Sequence, residues 1–364
     1  MQSKCLLRIS TPLGKNAPRI YFFATFWWLA FAGCDDRADN DGDSSNPSTS
    51  TGQASDSSGD HNSGTTHTLA SSTADTTAGA CTVRTAPSGK VPGSNELQPG
   101  GQRIRLARSL DGENFERLNL TILDQAATPT MLAMPDGQLY VYYTAYQAYK
   151  GRDGAALSIG SADGATWQHC ELNYQGLPEM VNPVDPDIIA LDDGTYRMFV
   201  TGPTSSGQFG IHSLDSSDGL NWAYRGEAYA SASGNLDSAT MRIGSSWHMF
   251  VLQLMTVEMT HSTSPDAVQF TAIDTKLYTI DGQPHVLSQG LVDGEATRIF
   301  GFSPMGQKIR SFRTTDGSDL VADETVHLSF DAAQAEESIF IKDPAVAFAA
   351  DRSIWMVYST AIPD

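Results

Sequence analysis

With 364 residues, 40% of them hydrophobic and 18% charged, the chain can form a domain with a real core once an atypical N-terminal stretch is set aside. Its formal charge is −19, of which −16 falls on residues 81–364. So acidic a domain repels phosphate backbones and gains nothing from counterion release, which excludes nucleic acid as a partner and makes anionic glycans poor ones.

Four basic residues, Lys4, Arg8, Lys15 and Arg19, precede an apolar run over residues 20–32 that ends in Ala32-Gly33-Cys34. This is the layout of a signal peptide over residues 1–33, the run being shorter than the roughly 20 apolar residues of a membrane-crossing helix. The ending resembles a bacterial lipobox, in which the cysteine is acylated, so lipidation at Cys34 and attachment to a membrane on its periplasmic or cell-surface face are expected. An ordinary signal with an incidental cysteine is the competing reading. Residues 35–80 are almost entirely Ser, Thr, Asp, Gly, Asn and Ala, with Leu69 the only large aliphatic. Such a segment cannot bury enough surface to offset its ordering entropy, so 34–80 reads as a disordered tether to the lipid. Cys5 leaves with the signal peptide and Cys34 takes lipid, so Cys81 and Cys170 are left as a candidate disulfide that would pin the start of the domain 81–364 to its first complete repeat. No Cys/His cluster has zinc-ligand spacing, and no metal site is assigned.

Within the domain a Ser/Thr-x-Asp-Gly-x-x-aromatic box recurs. It reads Ser109-Leu110-Asp111-Gly112 with Phe115, Ser161-Ala162-Asp163-Gly164 with Trp167, and Ser216-Ser217-Asp218-Gly219 with Trp222. Weaker copies are Ser264-Pro265-Asp266-Ala267 with Phe270 and Thr314-Thr315-Asp316-Gly317 with Leu320. The Asp-to-Asp steps of 52, 55, 48 and 50 residues suit a four-stranded blade and its turns. A second box lies between these copies: Thr128-Pro129-Thr130, Asp185-Pro186-Asp187 and Asp343-Pro344-Ala345, with degenerate versions at Asn235-Leu236-Asp237 and His285-Val286. Its starts are 128, 185, 235, 285 and 343. Asp136, Asp193 and Asp293 read as turn residues of the hairpin that follows it.

Strand-length segments such as 139–146, 197–202 and 354–360 are rich in β-branched and aromatic residues, and helical periodicity is absent. Tyr142, Tyr143 and Met198 alternate as interblade core, and Trp167, Trp222 and Trp355 read as blade packing. The predicted fold is all-β: a five-bladed β-propeller. Residues 103–109 and 115–123 supply a third and fourth strand, which complete the last blade together with the first and second strands at 346–350 and 354–360.

Over about residues 100–360 the arrangement resembles the five-bladed propeller glycosidases, the group of glycoside hydrolase families 43, 32, 62 and 68 that holds arabinanases, xylosidases, invertases and levansucrases. The resemblance rests on the blade count, on the run from Asp185 through Asp-Asp-Gly to Phe199, and on the matching Asp343-Pro344 box. It implies a carbohydrate ligand and a site where the inner strands open onto a central channel. Such hydrolysis uses two carboxylates, one as acid and one as base or nucleophile. In the resembled families the first blade gives the base or nucleophile, the second a tuning Asp, the third a Glu acid. This chain has Thr128 and Thr130 in the first blade, Asp187 at the tuning position, and Asp237 in place of the Glu. The candidate catalytic residues are therefore Asp187, Asp237 and Asp343. The candidate ligand contacts are Asp185, Thr128, Thr130, Asn235, His285 and Glu295. No cofactor motif is present, although the resemblance allows a calcium ion in the channel, with no ligands assigned. A monomer is expected. Two readings stay open: a membrane-anchored carbohydrate-active hydrolase, and a catalytically silent propeller that binds a glycan or a protein.

Overall fold

The computed structural model describes residues 81–364 apart from 254, 255 and 350. The segments read from sequence as signal peptide and tether, Cys34 included, lie outside the described residues, among which no helix is long and apolar enough to cross a membrane.

Five antiparallel sheets form the domain. Blade I orders Ala126–Ala133, Leu139–Tyr149, Arg152–Gly160 and Trp167–Cys170 from its inner to its outer strand. Blade II runs Val184–Ala190, Tyr196–Pro203, Phe209–Ser216 and Asn221–Ala230, with Asn173–Gln175 added in parallel at its outer edge. Blade III comprises Asn235–Ile243, Ser246–Gln253, Met259–Ser264 and Thr271–Lys276. Blade IV comprises Val286–Asp293, Ala296–Phe302 and Lys308–Thr314, its outer edge shared by Val321–Ala322 and Leu328–Ser329. Blade V takes Ser338–Phe348 and Ile354–Ala361 from the end of the domain and Gln102–Ser109 and Glu116–Asp124 from its start. The seam between them runs without a shift from Gln102 opposite Ala361 to Ser109 opposite Ile354. Each inner strand contacts two others, and the order of contact returns to its origin, so the five close into a ring.

The core is divided in the same way. Five apolar clusters each lie between adjacent blades, which is where sheets stacked around an axis bury their two faces. Strand alternation decides which joint a side chain serves: Tyr142 packs between blades I and II, and its neighbour Tyr143 between blades V and I.

The Asp-Gly boxes form the hairpins between third and fourth strands. The Ser or Thr hydroxyl bonds the Asp carboxylate at 2.8, 2.6, 3.0, 3.0 and 3.4 Å in the five copies. In the first copy the Asp111 carboxylate also accepts the backbone N–H groups of Glu113 and Asn114, which holds it well below the usual carboxylate range. Trp167 and Trp222 lie over these turns and donate their indole N–H to the carbonyls of Gly164 and Gly219 at 2.9 and 3.2 Å. Trp222 and Trp355 are buried as blade packing. Cys81 and Cys170 form a disulfide, with Cα atoms 5.4 Å apart, next to an antiparallel bridge from Val83 to Cys170 on the outer strand of blade I.

Candidate functional site

Every inner strand carries a β-bulge near its start, and the bulges build the mouth of the channel. Register with the second strand shifts at Ala127/Thr130, Val184/Asp187, Leu236/Ser238, Leu287/Gly290 and Lys342/Ala345. A bulge bends the strand and re-aims the side chain of its extra residue. At four of the five, a non-glycine residue adopts left-handed backbone: Thr128 (φ 47), Asp185 (φ 52), Asp237 (φ 42) and Asp343 (φ 51). Asp tolerates this conformation, whereas a β-branched residue such as Thr128 is strained in it. The strain is held by bonds between blades. The backbone N–H of Thr128 donates to Ser359 Oγ at 3.2 Å, that of Asp185 to Thr144 Oγ1 at 2.7 Å, and that of Asp237 to Thr201 Oγ1 at 3.2 Å, each hydroxyl lying on the second strand of the preceding blade. Blade III offers Leu252, and blade IV Phe302, at the matching second-strand positions.

The bulges correct the sequence-based alignment of two boxes. In blade III the bulged residue is Asp237 rather than Asn235, and in blade IV the register shift falls at Ser288-Gln289 rather than at His285. Asn235 is buried and accepts from Ser231 Oγ at 2.6 Å. His285 is buried with its Nδ1 3.0 Å from the Gln283 carbonyl, against the edge of Phe312. Glu295 is exposed in the turn between Val286–Asp293 and Ala296–Phe302. None of these three lines the pocket, since each lies away from the bulge that turns a side chain toward the axis.

Thr128, Thr130, Asp185, Asp187, Asp237 and Asp343 do share one pocket, together with Ser238, Ser288, Gln289 and Phe302. It encloses a cavity of about 40 Å³, room for a few water molecules where one needs roughly 10–15 Å³. Asp185 and Asp237 line it from adjacent blades, II and III, and interact with each other. Burial, together with the neighbouring carboxylates, raises both above the usual carboxylate range. Thr128 Oγ1 donates to Asp185 Oδ1 at 3.2 Å. Lys342, which the sequence reading did not single out, places its Nζ 2.5 Å from Asp343 Oδ2. Asp187 stands two residues past the bulge, and burial pushes its carboxyl up to about 7. Asp187 Oδ2, Asp237 Oδ1 and Thr130 Oγ1 are buried without a hydrogen-bond partner.

Gln289 ties three blades together at the wall of this space. Its Oε1 accepts from the backbone N–H of Val346 in blade V at 3.0 Å and of Met131 in blade I at 3.3 Å, and its Nε2 donates to the Met131 carbonyl at 2.8 Å. Blades IV and I are not neighbours in the ring, so this side chain crosses the channel, three residues beyond the bulges at Thr128 and Asp343. The surrounding chemistry is acid–base and hydrogen-bonding. Among the described residues no group of three or more carboxylate, histidine or cysteine side chains is set to hold a metal ion, so the calcium ion the resemblance allows finds no donor set there.

No family model matches the chain, and neither does any curated protein. Solved structures do. A thermostable family-43 glycoside hydrolase matches with a TM-score of 0.52 at 11% identity, over 64% of this chain and 83% of its own. A family 117 glycoside hydrolase of the marine bacterium Zobellia galactanivorans matches at a TM-score of 0.45 and 13% identity, over 74% and 94% of the two chains. An endo-arabinase from Bacteroides thetaiotaomicron does so at 0.46 and 12%, over 65% and 94%. The first likeness shows the fold: the domain is a five-bladed β-propeller resembling that of a glycosidase.

Proposed function

We propose that the protein acts on carbohydrate at the channel mouth as an exported glycoside-hydrolase-like lipoprotein, held to the membrane through Cys34. The observation that carries the reading is the meeting of Asp185, Asp237 and Asp343, from blades II, III and V, in one pocket on bulged inner strands. The environments of these groups differ as acid and base roles require: burial shifts Asp185 and Asp237 toward the protonated form, and Asp343 is ion-paired with Lys342. In this reading the protonated pair or Asp187 serves as acid, and Asp343 as the charged partner.

Thr128 favours a second reading. The first-blade position holds a hydroxyl that cannot act as a carboxylate base, which suits a propeller that binds a glycan without cleaving it. A screen of the protein against aryl glycosides and plant or microbial polysaccharides separates the two. Hydrolysis lost by about 100-fold or more in both Asp187→Asn and Asp237→Asn supports the enzyme. Glycan binding with no product, unchanged by either substitution, supports the binding module. For the anchor, Cys34→Ala is expected to abolish incorporation of labelled fatty acid and to release the protein from membranes.

A further inference from the structure

We propose that the pocket takes a primary ammonium group carried on a sugar, so that its ligand is an amino-sugar oligomer rather than a neutral or acidic one. The inference rests on the carbohydrate reading above and narrows it.

Charge gives the first argument. The pocket lining holds four carboxylates, Asp185, Asp187, Asp237 and Asp343, and no cationic side chain. The nearest cation, Lys342, is already committed to Asp343. A ligand in this pocket therefore meets acidic side chains from blades II, III and V and no uncommitted counter-charge. The charge of −16 over residues 81–364 extends this preference into solvent, drawing cations toward the mouth and repelling uronates and phosphates.

The unused hydrogen-bonding capacity of the wall gives the second. Thr130 and Asp187 are each 4% exposed, line the pocket, and present Thr130 Oγ1 and Asp187 Oδ2 with no partner; Asp237 Oδ1 is likewise unpaired. All three atoms can accept. An ammonium group brings three N–H donors and no acceptor, so it satisfies such a wall without leaving a lone pair buried against a carboxylate. The third argument is size, because a cavity of about 40 Å³ admits an ammonium and the carbon that bears it, with the sugar ring seated over the mouth.

Calorimetric titration of the protein with a glucosamine tetramer, its fully N-acetylated counterpart, a galacturonate tetramer and tetralysine tests this. The amino tetramer is expected to bind about tenfold or more tightly than either other sugar. Its affinity is expected to fall away as pH rises past about 7–8, where an amine beside electron-withdrawing groups, like an α-amino group, loses its proton and with it the charge the pocket recognises. Asp237→Asn, which keeps a residue suited to the left-handed bulge, is expected to bring the amino and acetylated forms to near parity. Equal or weaker binding of the amino tetramer overturns the inference, while binding of the acetylated tetramer then leaves the carbohydrate reading standing. If none of the three sugars binds, both fall. Tetralysine bound as tightly as the amino tetramer overturns the sugar half of the inference.

Discussion

Asp187 is a buried carboxyl whose proton affinity is set by desolvation, and this makes it a source of pH-dependent stability. Its carboxyl moves from 3.8 to about 7, so between those limits the folded chain binds a proton that the unfolded chain has lost. Stability therefore falls as pH rises from about 4 to about 7, by up to about 4 kcal/mol from this group alone. Asp187→Asn is expected to flatten the decline of Tm with pH across that window, and an unchanged slope in thermal melts would assign the effect to other groups. The residues at the mouth were unequally legible. Thr128, Asp185 and Asp343 are each followed by proline, a visible mark in sequence, and Asp237 stood out as a lone carboxylate in the third box. Ser288 and Gln289 have neither mark, since the fourth bulge uses no proline, and His285 drew attention only because its type is chemically conspicuous. Lys342 was passed over because a lysine beside an Asp-Pro box reads as an ordinary surface charge. Its side chain is only 11% exposed, which only the folded ring reveals.

At the scale of strands and turns, two repeated devices account for most of what the sequence displayed. The Asp-Gly hairpins follow from local chemistry: a carboxylate that caps backbone N–H groups and a glycine that supplies positive φ leave a signature within four residues. Three of the bulges bond a hydroxyl on the preceding blade, a partner 36 to 231 residues away in sequence, which no local pattern announces. The disulfide joins these scales. It closes a span of 89 residues that contains the N-terminal strands of blade V and all of blade I. In the chain-entropy account, cross-linking a span of that length stabilises the fold by up to about 4–5 kcal/mol, and disulfides typically deliver roughly 2–4 kcal/mol. Cys81→Ser is expected to lower the denaturation midpoint by a corresponding amount while the channel-mouth pocket keeps its ligand affinity. A loss of affinity alongside stability would instead tie the N-terminal segment to the site.

The molecule as a whole is held shut by blade V, where the start and end of the domain meet. Strand composition already indicated this closure, because the domain begins with two strands lacking a first and second and ends with two lacking a third and fourth. No pattern along the chain marks the polar clasp beside the seam. Glu337, with its side chain fully buried, accepts from Arg117 Nε at 2.5 Å and Nη2 at 2.9 Å, and from the Tyr358 hydroxyl at 2.7 Å. Arg117 comes from the first part of the domain and Tyr358 from the last, so one carboxylate binds both ends. Removing it leaves a half-buried guanidinium with only the Ser329 carbonyl as partner, and Glu337→Ala is expected to cost about 1.5–3 kcal/mol, read as a lower midpoint in denaturant. A change below about 1 kcal/mol would show that the strand seam alone closes the ring.

One side chain, Gln289, bonds backbone in two blades other than its own, so blades IV, V and I share a fastening that no strand pairing supplies. Loosening any one of these sheets strains the anchorage of the other two.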